Sequence, residues 1–378
     1  SFYKVYYMNY FLKKIYLLFF LIIFFTGQTI AFGKSNKIEY SRYTVTNYLS
    51  GVMFANQNLS DKAFTHLNKI QYLKNSHDNF SIQFLRTLIL LDKFDQAFIF
   101  SKNIIQEDKR FFESNLLMGL KNFVNEDYQN AEKHFSNMEL NPDYHLLFED
   151  FLRYVLLSWS KALQNNMKES FFYYNKIPDI YNNLKKIQYS LLQCYFDKSN
   201  AELAFKNLVD NKDQAFSRYN FFLANYLLHK DKEEEAKTII NSSMKKHSSN
   251  ILLKQSENFI LNNKVKEIKN YFNCREGKDN LAEIFYIVAN LHATQKNYLL
   301  SNFYLKLSLF LNKKFKPNKA LLAENFYFQK KYNISKKVYI SLKEIGPIYF
   351  WYAAKNEAAI NIDTKGKKYA ISILKKEF

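Results

Sequence analysis

The chain has 378 residues, 48% of them apolar and 18% aromatic, so it can bury a large core. Seven glycines and four prolines are too few for the many tight turns of a β-rich fold. The formal charge of +19 comes from 54 basic and 35 acidic residues that are mixed along the whole chain, whereas a nucleic-acid-binding protein gathers its basic residues in one patch or arm. We therefore expect an all-α protein and no nucleic-acid partner.

The first predicted element is an export signal. Two lysines precede an apolar run from residue 15 to residue 25, and a small-residue cleavage site that ends at Ala31 follows it. This order is typical of a secretory signal peptide. We expect Met8 to be the true start, so residues 1–31 would be a non-native extension followed by a signal peptide that is removed.

An alternative is that this segment stays in the protein as a membrane anchor. The apolar run with its flanks approaches the about 17 residues that can span a bilayer. Residues 15–31 would then fix the chain in the inner membrane. Membrane association is expected only through this segment, if it is uncleaved.

A repeat with a period near 34 residues fills the rest of the chain. Small or apolar residues recur at steps of 32 to 39 positions, and a larger apolar or aromatic residue follows most of them four positions later. The recurring residues are Ala63, Ala97, Ala131, Ser170, Ala204, Ala236, Ile268, Ser301 and Ser335. Residues four apart are neighbours across a helical turn. Each step therefore predicts the second helix of a helix pair.

Other positions indicate where these helices begin and end. Aromatic residues are predicted to begin second helices at Phe94, Tyr128, Tyr298 and Tyr332. The four prolines lie at or just beyond predicted ends of second helices, where they do not break a helix interior. A small residue near the middle of a first helix, such as Gly119, would let the second helix approach closely.

These features together resemble the tetratricopeptide repeat (TPR) family. The resemblance rests on the 34-residue period and on the order Gly or Ala, Tyr, Ala, Phe, Pro, seen around D-Y-Q-N-A-E-K-H-F from Asp127 to Phe135. It covers essentially all of residues 38–378 and implies an all-α solenoid of about nine to ten helix-turn-helix repeats in a right-handed superhelix. Each repeat would contact only its neighbours. With the signal peptide, the array resembles exported multi-TPR proteins of Gram-negative bacteria, which implies a location in the periplasm or cell envelope.

The concave surface of such an array is the partner site that the resemblance implies. The family's register places the second, fifth, ninth and twelfth side chains of each repeat in this groove. These residues are Tyr48, Ile82, Arg86, Phe123, Trp159, Tyr189, Gln193, Arg218, Phe221, Asn225, Tyr286, Asn290, Glu324 and Tyr327. Aromatic rings supply contact area and amides satisfy the backbone of an extended peptide. The expected function is a protein–protein interaction scaffold or adaptor that binds a peptide or protein in the groove.

One known mode of binding in this family is not expected. Some arrays grip a C-terminal carboxylate through basic and amide residues on successive first helices. Arg218 and Asn225 match two of those positions, but Phe221 stands where the family has a lysine. Carboxylate capture is therefore not predicted.

The sequence contains no constellation typical of an enzyme. The seven histidines are dispersed, and there is no H-E-x-x-H, no Cys-x-x-Cys and no glycine-rich phosphate loop. We expect no enzymatic activity, no metal and no cofactor. The alternative is that the array is the helical module of a longer envelope enzyme, such as one that cuts peptidoglycan, whose catalytic domain would lie beyond residue 378.

The two cysteines, Cys194 and Cys274, lie 80 positions apart. They could pair only if the fold brought them together. Repeats more than one step apart seldom touch, so we expect two buried free thiols.

Overall fold

The computed structural model describes residues 40–106, 112–138, 148–210 and 216–377. The chain divides into two compact units after Thr46. The predicted signal peptide and anchor lie outside the described residues. The described ranges contain helices and turns but no strand, which confirms the predicted all-α class.

Twenty α-helices form ten successive hairpins in these ranges, and each odd-numbered helix is the first of its pair; α1 crosses the boundary between the units. The helices are α1 (Arg42–Asn56), α2 (Ser60–Leu67), α3 (Asp78–Leu90), α4 (Phe94–Gln106), α5 (Phe112–Val124), α6 (Tyr128–Ser136), α7 (Glu149–Leu163), α8 (Met167–Asn175), α9 (Asn182–Tyr195), α10 (Ala201–Val209), α11 (Tyr219–His229), α12 (Glu233–Lys246), α13 (Ile251–Leu261), α14 (Val265–Tyr271), α15 (Gly277–Thr294), α16 (Tyr298–Leu311), α17 (Lys319–Phe328), α18 (Tyr332–Leu342), α19 (Pro347–Lys365) and α20 (Lys367–Glu377). The predicted repeat array is thus confirmed. Among the described helices, none is both long and apolar enough to cross a membrane.

The predicted register of the second helices is also confirmed. Helices α4, α6, α16 and α18 begin at Phe94, Tyr128, Tyr298 and Tyr332 respectively. The nine recurring small or apolar residues all lie in second helices and are between 0% and 7% exposed. The face that the four-residue spacing defines is therefore the face that packs into the core.

Every hairpin turn uses one residue with positive φ between its two helices. These residues are Asn58, Asp92, Glu126, Asn165, Asp197, Asp231, Asn263, Lys296, Lys330 and Gly366. In the first nine turns the next residue donates its backbone N–H to the carbonyl five positions earlier, as Lys93 does to Leu88 at 2.9 Å. This Schellman-type closure satisfies a terminal carbonyl of the first helix while the chain reverses. Asn and Asp tolerate the left-handed region better than most residues, which explains how the chain makes these turns with few glycines.

Gly119 lets α6 pack directly on α5. A Cβ atom at this position would overlap the ring of Phe135, which is fully buried. We expect Gly119→Ala to lower the free energy of unfolding by about 1–3 kcal/mol, because the ring must shift in a packed core. This loss should occur although alanine is the better helix former. Urea denaturation of the variant and the parent measures it.

The matched control for this prediction removes the overlapping ring. The double variant Gly119→Ala/Phe135→Leu should lose less than the sum of the two single variants, since leucine leaves room for the new methyl group. Strictly additive losses would contradict the packing argument.

Hairpins that are distant in the chain also touch within the second unit. The ring of Phe94 on α4 stacks on Phe310 of α16, with 4.2 Å between the centroids. Beside it, the Nζ atom of Lys306 lies 2.5 Å from Oδ2 of Asp92. Further contacts join α7 to α15 and α13 to α19. The array therefore folds back on itself, whereas the resemblance implied contacts between neighbouring repeats alone.

These returning contacts explain the state of the cysteines. Cys194 near the end of α9 and Cys274 just before α15 form a disulfide, with their Cα atoms 5.9 Å apart. The expectation of two free thiols is wrong. It assumed that hairpins more than one step apart do not meet, and here they do.

Candidate functional site

The structure places the fourteen predicted groove residues at different depths. Four are at most 1% exposed, namely Phe123, Trp159, Phe221 and Asn225, and two are 8–9% exposed, namely Ile82 and Gln193. Seven are half-buried, namely Tyr48, Arg86, Tyr189, Arg218, Tyr286, Glu324 and Tyr327, and Asn290 is exposed. Contact of any of them with a partner stays a prediction.

The deeply buried members have packing contacts where the sequence predicted partner contacts. The indole Nε1 of Trp159 donates a hydrogen bond to Gln188 Oε1 at 3.0 Å. The ring of Phe221 stacks on Phe315, with 5.4 Å between the centroids. These side chains offer no surface to a ligand in this structure, because the inner faces of several first helices pack against other hairpins.

Four of the predicted residues meet in one cleft of about 260 Å³. Arg218 immediately precedes α11, Tyr286 and Asn290 lie one turn apart on α15, and Glu324 lies on α17. The rest of the lining is Ser249, Asn250, Ile251, Leu252, Pro317, Ala320, Leu321 and Tyr349. The cleft is smaller than the about 300–1,000 Å³ of sites that enclose a drug-sized molecule. It can therefore hold side chains of an extended segment, but no folded domain.

The guanidinium of Arg218 forms one wall of this cleft. Its Nε and Nη2 atoms donate to the two carboxylate oxygens of Glu283 at 2.9 and 2.7 Å, and Nη2 also donates to Asn318 Oδ1 at 2.8 Å. Its central carbon lies 3.8 Å from the centroid of the Tyr286 ring. Burial alone would lower the pKa of Arg218, but the adjacent Glu283 carboxylate raises it. Burial raises the pKa of Glu283, although the Arg218 guanidinium lowers it.

This network leaves Arg218 with little capacity for an anionic ligand. Its charge is balanced by Glu283, whose side chain is 1% exposed, and three of its hydrogen bonds are used inside the protein. The pair fixes the position of the Tyr286 ring instead. The absence of C-terminal carboxylate capture stays a prediction.

Other polar groups line the same cleft. Glu324 accepts a hydrogen bond from the hydroxyl of Tyr352 through Oε1, and burial raises the pKa of Glu324 although that bond lowers it. The Oδ1 atom of Asn250 accepts hydrogen bonds from the backbone N–H groups of Leu252 and Leu253 at 3.1 and 3.2 Å, and these bonds fix the loop before α13. The Asn290 amide has no hydrogen bond among the described residues, so it can serve both a carbonyl and an N–H of a ligand.

The sequence reasoning missed several residues of the site. Glu283 and Asn318 hold Arg218 in place, and Tyr349 closes the cleft from α19 while being 1% exposed. Glu283 stands one turn before Tyr286 on the same helix, and a carboxylate in an otherwise apolar helix face indicates a buried ion pair. The described residues contain no group of three or more His, Cys, Asp or Glu side chains placed to hold a metal ion.

Comparison with known proteins identifies no family. No family model and no curated protein match the chain. Among solved structures, it is similar to the chain in "Crystal structure of APC/C hetero-tetramer Cut9-Hcn1", with 12% identity over 89% of this chain and 80% of that chain and a TM-score of 0.31. It is also similar to the chain in "Structure of Naa15/Naa10 bound to HypK-THB", with 10% identity over 87% of this chain and 67% of that chain and a TM-score of 0.22. TM-scores of this size carry no argument about function, so the description of the chain as an all-α array of TPR-like hairpins rests on its own helices.

Proposed function

We propose that this chain is a protein-binding scaffold or adaptor that holds an extended segment of a partner in the cleft beside Tyr286 and Asn290. The observation that supports this function is that several of the predicted groove residues lie together. Four residues selected by repeat register alone come from three hairpins and line a single cleft. Scattered surface positions would not meet in this way.

The cleft has the chemistry that an extended peptide needs. The ring of Tyr286 supplies flat contact area, and the Asn290 amide can form hydrogen bonds with a peptide group. Glu324 can accept a hydrogen bond from a backbone N–H or from an amino group of the ligand. The Arg218–Glu283 network holds the wall before any ligand arrives. A preformed site lowers the conformational entropy that binding costs.

We also propose that this function is carried out after export, in the periplasm or cell envelope. The order of charged, apolar and small residues before Phe32 supports this location. Mass spectrometry of the mature N-terminus tests it. A chain that starts near Phe32 supports export with cleavage, and a chain that keeps residues 15–31 supports the inner-membrane anchor.

The binding proposal is tested by site-specific photo-crosslinking in cells that produce the full chain. Benzoylphenylalanine at position 290 should give discrete adducts that map to one extended segment of a partner. The matched control is benzoylphenylalanine at Gln295, an exposed amide that follows the same helix outside the cleft. The same adducts from both positions, or none from position 290, would refute the proposal.

A second measurement separates binding in the cleft from chance proximity. A synthetic peptide of the crosslinked segment should bind the parent chain, and Asn290→Trp should weaken this binding by about tenfold or more because the indole fills the cleft. Gln295→Trp should leave the affinity unchanged.

A further inference from the structure

A second and larger cleft, of about 560 Å³, lies where the ends of several helices meet. It is lined by the end of α14, the start of α15 and the loop between them, by the end of α16 and the loop after it, and by the last residues of α5 and α11. Its lining shares no residue with the cleft around Tyr286. It is therefore a separate site.

The two loops of this cleft are held by their own hydrogen bonds. The Oδ1 atom of Asn312 accepts the backbone N–H groups of Lys314 and Phe315 at 3.0 and 3.1 Å. The buried amide of Asn280 donates to the carbonyl of Cys274 at 2.9 Å, and the disulfide fixes Cys274 to α9. The side chains that these loops carry are thus presented from a rigid backbone.

Four lysines give the lining a basic character, which its two acids, Glu276 and Asp279, offset in part. Lys269 has an acidic neighbour, since its Nζ atom lies 3.6 Å from Asp231 Oδ1. The other three, Lys278, Lys313 and Lys314, form no salt bridge among the described residues, although Lys314 lies close enough to Asp279 to lower the pKa of that carboxyl. This surplus of positive charge would attract carboxylates.

The acids of the lining only partly offset the lysines. Glu276 is exposed, and the Oδ2 atom of Asp279 accepts the backbone N–H of Asn273 at 2.9 Å. Burial raises the pKa of Asp279 to about 6, although this hydrogen bond lowers it. At pH 7 Asp279 is therefore mostly ionised, and four lysines against two acids still leave the lining with a surplus of positive charge.

An apolar wall stands next to these lysines. It consists of Val124, Phe310 and Leu311, and Phe310 is fixed from behind by its stack on Phe94 at 4.2 Å. A lone phosphate ion would gain nothing from this wall, whereas a peptide with an apolar side chain beside its acids would use both parts of the cleft.

We propose that this cleft binds an acidic segment of a partner protein, with the carboxylates at Lys278, Lys313 and Lys314 and an adjacent apolar side chain against Phe310. The site goes beyond the function proposed for the first cleft, because a partner could engage either cleft without the other. If one partner carries both segments, the two clefts would strengthen each other's binding through the linkage between them.

Fluorescence anisotropy with the full chain at pH 7 tests this proposal. The probe is the labelled peptide Glu-Asp-Phe-Glu-Asp-Leu, and the comparison peptide is its amide counterpart Gln-Asn-Phe-Gln-Asn-Leu. In about 50 mM salt, where charges are weakly screened, we expect the acidic peptide to bind about tenfold more tightly or better. Equal affinities for the two peptides would overturn the proposal.

The lysines are tested with a charge-matched pair of variants. Lys313→Glu/Lys314→Glu should weaken binding of the acidic peptide by about tenfold or more, since both carboxylate contacts become repulsive. The control is Lys245→Glu/Lys246→Glu, two adjacent exposed lysines at the end of α12 that lie outside the cleft; it should change the affinity by less than about twofold.

Two results would overturn the assignment of this cleft. Equal losses in the two double variants would mean that only the total charge of the chain matters. Displacement of the peptide by inorganic phosphate as effectively as by unlabelled acidic peptide would mean that the lysines form an anion site and that the apolar wall plays no part. Binding to Asn290→Trp should be unchanged, which separates this test from failure of the first proposal.

Discussion

Replacing Arg218 by alanine is expected to lower the free energy of unfolding by about 3–5 kcal/mol. The variant leaves the Glu283 carboxylate, which is 1% exposed, without its charged partner and without both of its short hydrogen bonds. It also frees Asn318 Oδ1 and removes the planar group that lies 3.8 Å above Tyr286. Guanidinium denaturation followed by circular dichroism measures the loss.

The control replaces both partners of the pair. Arg218→Met/Glu283→Leu should recover most of the lost stability, because an apolar pair of similar volume avoids the cost of keeping charges away from water. A loss below about 1 kcal/mol in Arg218→Ala would show that the pair behaves like an exposed salt bridge. That result would contradict the buried network described for the cleft.

Breaking the disulfide between Cys194 and Cys274 is expected to lower the free energy of unfolding by a similar amount. The bond closes a loop with a sequence separation of 80 residues, and the chain-entropy model assigns such a loop about 4.5 kcal/mol of stabilisation. The denaturation midpoint should fall when reductant is added to the parent chain. Cys194→Ala/Cys274→Ala should show the lower midpoint without reductant.

The double alanine variant is also the control for the reductant. Its midpoint should not respond to reduction, because these two residues are the only cysteines in the chain. Alkylation under non-reducing conditions, followed by mass spectrometry, tests directly whether the disulfide is formed. Two alkylated thiols in the native protein would show that the bond is not formed.

Much of the fold could be predicted from the sequence because it depends on contacts close in the chain. The spacing of Ala63, Ala97 and Ala131 reports which face of a second helix is buried, and all three are 0% exposed. The aromatic starts of second helices, such as Tyr128 and Tyr298, were predicted correctly for the same reason. The interaction between two helices of one hairpin is encoded within a single repeat.

The returning contacts could not be predicted in this way. Whether Phe94 meets Phe310 depends on the sum of many small rotations between successive hairpins. The residue spacing within one repeat does not determine that sum. The same limitation explains the error on the cysteines. It also explains why register predicted Phe221 as a groove residue although its ring is buried against Phe315, two hairpins further along the chain.

Part of the lining of the candidate cleft could be selected from the sequence, because register identifies which side chains of a first helix point inward. It selected Arg218, Tyr286, Asn290 and Glu324, which share one cleft. It did not select the basic cleft, because Lys313 and Lys314 lie in the loop after α16, and Lys269 and Lys278 lie in the last turn of α14 and the first turn of α15, where the register selects no residue. Such loops vary in length and sequence without disturbing the helices that they connect.

The contacts between early and late hairpins alter how this unit should come apart. An open solenoid can unravel stepwise from either terminus, since removal of an end repeat uncovers only one neighbour. Here, deletion of the last three hairpins would also strip α16 from α4 and α15 from α7, and so expose apolar surface near the opposite end of the unit. We therefore expect the second unit to unfold cooperatively, so that a deletion at one end destabilises hairpins near the other end.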